Sequence, residues 1–230
     1  RFVPSCSSEM MDALGALALR EHLPVQSHLS ENVNEIAWVR ELEPESSCYA
    51  DAYHRHGLLG QTPTLMAHCC YSDGVEIEML RAQGIYAVHC PSSNSNLPTG
   101  MAHVRKLLNN GIKVGLGSDI SGGHSLSIFS IIRYAIEISK IVHAETSGQE
   151  PFLTLSEAFW IATKSGGSFF GKVGSFESGY AFDALVIDDQ RLNSMEYTLE
   201  ERLERYIYLG DPMDIQHRFC QGKELSAPSL

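Results

Sequence analysis

The chain has 230 residues, with 43% apolar and 20% charged content, the make-up of a globular protein able to bury a substantial core. No apolar run approaches the roughly 18 residues that a membrane span needs, and no signal-peptide pattern opens the chain. A formal net charge of −11 with no basic block argues against nucleic acid and anionic membrane surfaces as partners.

In chain order, Ser7 to Arg20 is rich in Ala and Leu behind polar residues and predicts a helix. Pro24 ends the connection, and Val25 to His28 reads as a strand. Ser30 is the expected N-cap of a helix carrying Val33, Ile36, Ala37 and Arg40 on one side, and Tyr49 to His56 predicts a second short helix closed by Gly57. The next unit is strand Thr64 to His68 and helix Asp73 to Gln83, stopped by Gly84. Strand Ile85 to His89 leads into a polar run, Pro91 to Pro98, expected to be a loop. Met101 to Asn109 is expected to be helical, Ile112 to Leu116 extended, and Ser125 to Val142 a long helix. Thr154-Leu155-Ser156-Glu157 is a capping box opening a helix through Thr163.

Strands alternating with helices at this spacing mean βα units and a parallel sheet. Beyond Gly166 the texture changes, and Asp183 to Ile187 suggests a small β element; the tail after Asp188 gives weak signals. The chain opens on Arg1 rather than Met, so a larger protein or a processed piece is expected. A complete barrel of eight βα units takes about 250 residues. The expected fold class is therefore α/β: a partial (β/α)8 TIM-type barrel, its C-terminal half, over residues 1–165. Residues 166–230 are expected to form a C-terminal extension with part of a small composite β domain.

Chemistry-bearing side chains end these strands. His28 and Glu31 follow the first, His68 ends the second, His89 the third, and Asp119 follows Gly115-Leu116-Gly117-Ser118. Ligand-type groups at the C-terminal ends of successive parallel strands mark a barrel active site. Imidazole and carboxylate suit Zn2+, and a further carboxylate nearby can move protons. Each residue also has a plain reading: a core histidine for His28, a first-turn acid for Glu31, a turn cap toward Gly122-Gly123 for Asp119. His68 could ligate a metal or polarise a water on it, and the second role is the better fit to a four-ligand zinc. His89 either lines the pocket or is structural. His124, following two glycines just beyond Asp119, is the one further histidine to watch. Six cysteines, at positions 6, 48, 69, 70, 90 and 220, have neither disulfide-framework nor zinc-knuckle spacing and are expected to be reduced thiols.

Ser27-His28-Leu29-Ser30-Glu31, Met66-Ala67-His68-Cys69, His89-Cys90-Pro91-Ser92-Ser93-Asn94 and Gly115-Leu116-Gly117-Ser118-Asp119 together resemble the amidohydrolase superfamily. Within it they look like the guanine deaminase family, with flanking support from Arg1-Phe2, Ser5-Cys6, Gly174 to Glu177, Phe182 to Ala184 and Tyr208 to Asp211. That resemblance implies a cytoplasmic, homodimeric enzyme with one Zn2+ per active site, hydrolysing guanine to xanthine and ammonia in purine catabolism. By it, His28 and Asp119 are zinc ligands, Glu31 is the proton shuttle, and His68 and Asp119 activate water. Arg1 and Phe2 contact the purine, with His28, Glu31 and Asp119 also lining its site. The family places two more ligands in a His-x-His pair on its first barrel strand. No such pair stands ahead of His28; the near pair His54-Arg55-His56 follows it. The chain alone is therefore expected to bind zinc poorly. Rival expectations are an amidohydrolase acting on an adenine-type or triazine ring, and a catalytically silent truncated product with an interaction role.

Overall fold

The computed structural model describes residues 2–226. Helix α1 (Ser8–Glu21) precedes a sheet of four parallel strands, β1 (Val25–Leu29), β2 (Thr64–His68), β3 (Tyr86–His89) and β4 (Lys113–Leu116), ordered β1-β2-β3-β4. Parallel neighbours need crossovers. They are supplied by α2 (Val33–Leu42) with α3 (Tyr49–Arg55), by α4 (Gly74–Ala82), and by α5 (Pro91–Asn96) with α6 (Val104–Asn109). Helix α7 (Ile128–Glu145) follows β4, and α8 (Leu155–Trp160) runs on into a π-helical turn over Ile161–Ser165.

The strands form because short apolar, partly β-branched runs lie between helix stops, and their register places the core. Met66, Ala87 and Val114 sit side by side across β2, β3 and β4 and are fully buried beneath helix side chains such as Leu80 and Leu107. Each large apolar side chain removed from water in this way contributes roughly 1.5–3 kcal/mol. Along β2 burial alternates: Thr64, Met66 and His68 are closed off while Leu65 and Ala67 are partly open. His28 pairs with Ala67 and so lies on the more open face.

A second, antiparallel sheet joins β5 (Ala184–Ile187), β6 (Ile215–Cys220) and β7 (Lys223–Glu224), and α9 (Leu199–Leu209) lies between β5 and β6 in sequence. The region after Gly166 packs back on the first sheet's helices: Phe129 of α7 meets Tyr206 of α9 edge-on at 4.8 Å, and Tyr86 meets Phe169 at 5.2 Å.

Three local expectations are corrected. Ser30 does not cap α2; Asn32 does, its side chain accepting from the Asn34 amide at 2.8 Å, while Ser30 adopts a left-handed φ of 46°. Glu31 therefore precedes the helix, and Glu35 is its first-turn acid. The polar run from Pro91 is a helix through Asn96, not a loop, because proline at N1 has no amide to lose there and its φ is already helical. The tail after Asp188 holds α9, opened by the capping box Thr198–Glu201.

Helix α1 lies against the end of α3 so tightly that a Cβ on Gly15 would meet the His56 carbonyl oxygen at 2.0 Å. At this contact His56 Nδ1 is 2.7 Å from Asp12 Oδ1, and its Nε2 is 3.3 Å from Glu43 Oε1. Burial opposes the imidazolium, but the hydrogen bonds to Asp12 and Glu43 outweigh it and raise the His56 pKa. A raised value in the folded state means the pairing stabilises fully below the unfolded pKa of about 6.5 and is lost as pH rises through the folded value. His56→Gln is expected to cost about 0.5–1 kcal/mol at mildly acidic pH and less at alkaline pH. Urea unfolding of both proteins at two pH values checks this, and a pH-independent difference counts against it.

Candidate functional site

The end of the sheet where β1 and β2 stop is built by unusual backbone. Ser30, His68 and Cys69 all have positive φ, at 46°, 74° and 51°. In a regular pleat His68, paired with Leu29, would point to the opposite face from His28. The left-handed turn at His68 swings its Cβ off that alternation, and the two imidazoles stack, centroids 5.3 Å apart and planes 14° from parallel. Positive φ in non-glycine residues clusters at functional sites.

Around this pair the other groups assemble. His68 is fully buried, with Nε2 3.5 Å from Glu31 Oε2 and Nδ1 3.1 Å from the Asn94 side-chain nitrogen. The Phe2 ring meets His28 edge-on at 5.9 Å. Tyr53, on α3, donates its hydroxyl proton to the His28 carbonyl at 2.9 Å. Its oxygen accepts from Ser27 Oγ at 2.8 Å, since the phenol proton is already used. His89, closing β3, is completely buried, and that burial is the main influence that pushes its pKa down to about 3, so it is held as a neutral imidazole. The watched His124 lies exposed beside Tyr134, with Nε2 2.9 Å from the phenol oxygen.

Asp119 sits just past β4 in a left-handed turn, φ 43°, and its Oδ2 accepts from Ser93 Oγ at 2.5 Å. Its carbonyl takes the Gly123 amide at 2.6 Å, so part of the turn-capping reading is also met. Gly117 is required here, because a Cβ would meet Val88 Cγ1 at 2.8 Å and the Cys90 thiol at 3.0 Å. The Cys90 thiol is buried here. Burial and then the charges of Asp119 and Glu31 push it up to about 12. Cys69 and Cys70 are likewise raised by burial.

The structure thus gathers Phe2, His28, Glu31 and His68 in one run of contacts, and Asp119 connects to it through Ser93, whose neighbour Asn94 reaches His68. Arg1 lies outside the described residues. Among the described residues no group of three or more His, Cys, Asp or Glu stands close enough to hold a metal ion. The sequence reading quoted Ser93 and Asn94 only as part of a motif and gave no weight to Tyr53 or Glu76. Glu76, buried on α4, accepts from Ser72 Oγ at 2.6 Å and from the Ala50 amide at 3.1 Å.

The sequence profile of the amidohydrolase family matches residues 1–225. The chain belongs to that family. Among curated amidohydrolases of this kind, a guanine deaminase of Dictyostelium discoideum is 40% identical over 98% of this chain and 51% of its own length. A crystal structure of guanine deaminase from C. acetobutylicum, with guanine in its active site, is 57% identical and superposes with a TM-score of 0.96. It covers 98% of this chain and 54% of that one. An adenosine deaminase from Xanthomonas campestris with bound zinc shares the fold at a TM-score of 0.80 and 22% identity, covering 95% of this chain and 48% of its own. The chain spans about half the length of the relatives it matches. The mixed α/β architecture with a parallel sheet is that of the amidohydrolase fold. Among the described residues no helix is long and apolar enough to cross a membrane.

Proposed function

We propose that the protein carrying this chain is a zinc-dependent guanine deaminase, converting guanine and water to xanthine and ammonia. The observation that carries the reading is the cluster of His28, His68 and Glu31 at the ends of β1 and β2, in a chain 57% identical to a guanine-bound deaminase. In this reading residues 1–165, with the four parallel strands, are the C-terminal half of a (β/α)8 barrel, and residues 166–230 are a C-terminal extension with part of a small composite β domain. Homodimeric assembly and a cytoplasmic location belong to the same reading and rest on the family resemblance.

The donor chemistry of the site fits zinc, which takes nitrogen and carboxylate ligands in sets of about four. His28 and Asp119 would hold it, as two of the four, and by the family resemblance the other two would be a His-x-His pair. When bound, zinc supplies Lewis acidity that makes water nucleophilic near neutral pH. Glu31, its Oε2 3.5 Å from His68 Nε2, would carry a proton to the purine ring nitrogen, so that the amine can leave as ammonia. His68 and Asp119 orient and polarise the attacking water, and Phe2, with Arg1 beside it in sequence, borders the space over His28 where the purine ring would lie. Glu31→Gln in the complete, zinc-loaded protein is expected to lower xanthine formation by about 10²–10⁴-fold, the usual weight of a proton-transferring side chain. Unchanged turnover in that variant, or no xanthine from the intact protein, sinks the reading.

A further inference from the structure

Asn94 lies in α5, closed off from solvent, with its side-chain nitrogen 3.1 Å from His68 Nδ1 and 2.9 Å from Thr99 Oγ1, while its Oδ1 has no hydrogen-bond partner. Turning the amide over would give Oδ1 two donors but strand the NH2 group in the partnerless position. A buried N–H without an acceptor is the rarer and costlier defect, whereas an under-used carbonyl oxygen is tolerated. The amide therefore donates to His68 Nδ1, which must then be a bare lone pair. A neutral imidazole with bare Nδ1 carries its proton on Nε2. The other side of the ring is compatible with this: Nε2 lies 3.5 Å from Glu31 Oε2, which accepts when the carboxyl is ionised.

We propose that Asn94 is a positioning residue that fixes His68 as the Nε2–H tautomer, so that His68 meets the reacting groups as a hydrogen-bond donor and not as a base. This rests on the deaminase reading for its consequence but not for its geometry. His68 has no lone pair facing the site in this form, so removal of a proton from water falls to the carboxylates. Thr99 supports the arrangement by taking the second amide hydrogen, with its own amide donating to the Asn94 carbonyl at 3.1 Å.

The test is nitrogen-15 NMR of the histidine side chains in the full chain, with the His68 signals identified by their loss in His68→Gln. The expected spectrum shows proton coupling at Nε2 and a bare Nδ1. In Asn94→Asp, an acceptor of the same shape, the proton is expected to move to Nδ1, while Thr99→Val leaves it on Nε2. A wild-type spectrum with the proton on Nδ1 overturns the proposal even if neither Asn94→Asp nor Thr99→Val folds, and so does an Asn94→Asp spectrum that matches wild type. Neither outcome depends on turnover. If guanine is not the substrate the tautomer result still stands, and xanthine formation by the intact protein decides that question separately.

Discussion

Asp119→Asn in the complete protein is expected to lower kcat/KM for guanine by about 10⁴-fold, roughly 5.4 kcal/mol of lost transition-state stabilisation at 1.36 kcal/mol per decade. The choice of asparagine follows from the backbone. Asp119 sits at φ 43°, where asparagine is among the few other residues at ease and alanine would add strain. The variant therefore keeps the turn, its volume and the bond between the Asp119 carbonyl and the Gly123 amide, and removes only the charge. In the proposed site that charge does two things at once: it would help hold the metal, and it would accept a proton from the attacking water. An amide oxygen is a weak ligand and a poor base, so both are lost together. Ser93→Ala is the graded control. It deletes one charge-assisted hydrogen bond, to Oδ2, and leaves the carboxylate in place, so a loss of about tenfold is expected. Steady-state xanthine formation with metal content measured in parallel checks both variants. If Asp119→Asn turns over guanine within tenfold of wild type, Asp119 is a turn residue and the carboxylate role passes to Glu31.

Much of the fold could be read from residue pattern because its signals are local. Thr64–His68 is a strand in the structure with the bounds read from the sequence, and the Thr154–Glu157 capping box opens α8 as expected. The parallel pairing followed from the alternation of apolar runs with helical periods, which leaves few other topologies. What was hidden is equally physical. Pro91-Ser92-Ser93-Asn94 is a run of turn-forming residues by propensity, yet it is helical because Pro91 starts it and Ser92, Ser93 and Asn94 are buried in the packed fold. Ser30 had the chemistry of a cap, but the turn needed there is left-handed and shifts the cap to Asn32. In the tail, α9 is amphipathic with a capping box of its own, but its short flanking strands gave no alternation to anchor the reading.

The site was legible to the extent that strand ends can be found in a sequence. His28, Glu31 and His68 come together in space from positions up to 40 apart because β1 and β2 are neighbours in a parallel sheet. The second layer was not legible. Nothing in Tyr53 or Glu76 separates a partner of the site from an ordinary helix residue until the helices are docked. Their roles come from reach: Tyr53 onto the His28 carbonyl, Glu76 across to the start of α3 and the turn after β2. Such contacts depend on how helices pack over strands, and no spacing rule along one segment encodes that.

Glu76→Ala is expected to be the most destabilising single change near the site, by about 3–5 kcal/mol. The carboxylate is only 3% exposed and accepts from Ser72 Oγ at 2.6 Å and from the Ala50 amide at 3.1 Å. Truncation strands both donors and leaves a cavity where the carboxyl was. Burial is the main influence on Glu76 itself and raises its pKa, although the hydrogen bonds from Ser72, Ser30 and Ala50 work the other way. The sign of the linkage follows. A carboxyl whose folded value lies above its unfolded one favours the folded state most when both are protonated, and that contribution declines as pH rises from the unfolded pKa through the folded one. Glu76→Gln keeps an acceptor oxygen and carries no charge to desolvate. It is expected to cost less than Glu76→Ala at pH 7, and its deficit relative to wild type should shrink as pH rises from about 4 to 7. Chemical unfolding of the three proteins across that range measures both effects. A Glu76→Ala unfolding free energy within 1 kcal/mol of wild type would mean that the loops after β1 and β2 hold their shape without this carboxylate, and the positive φ values at Ser30 and His68 would then need another anchor.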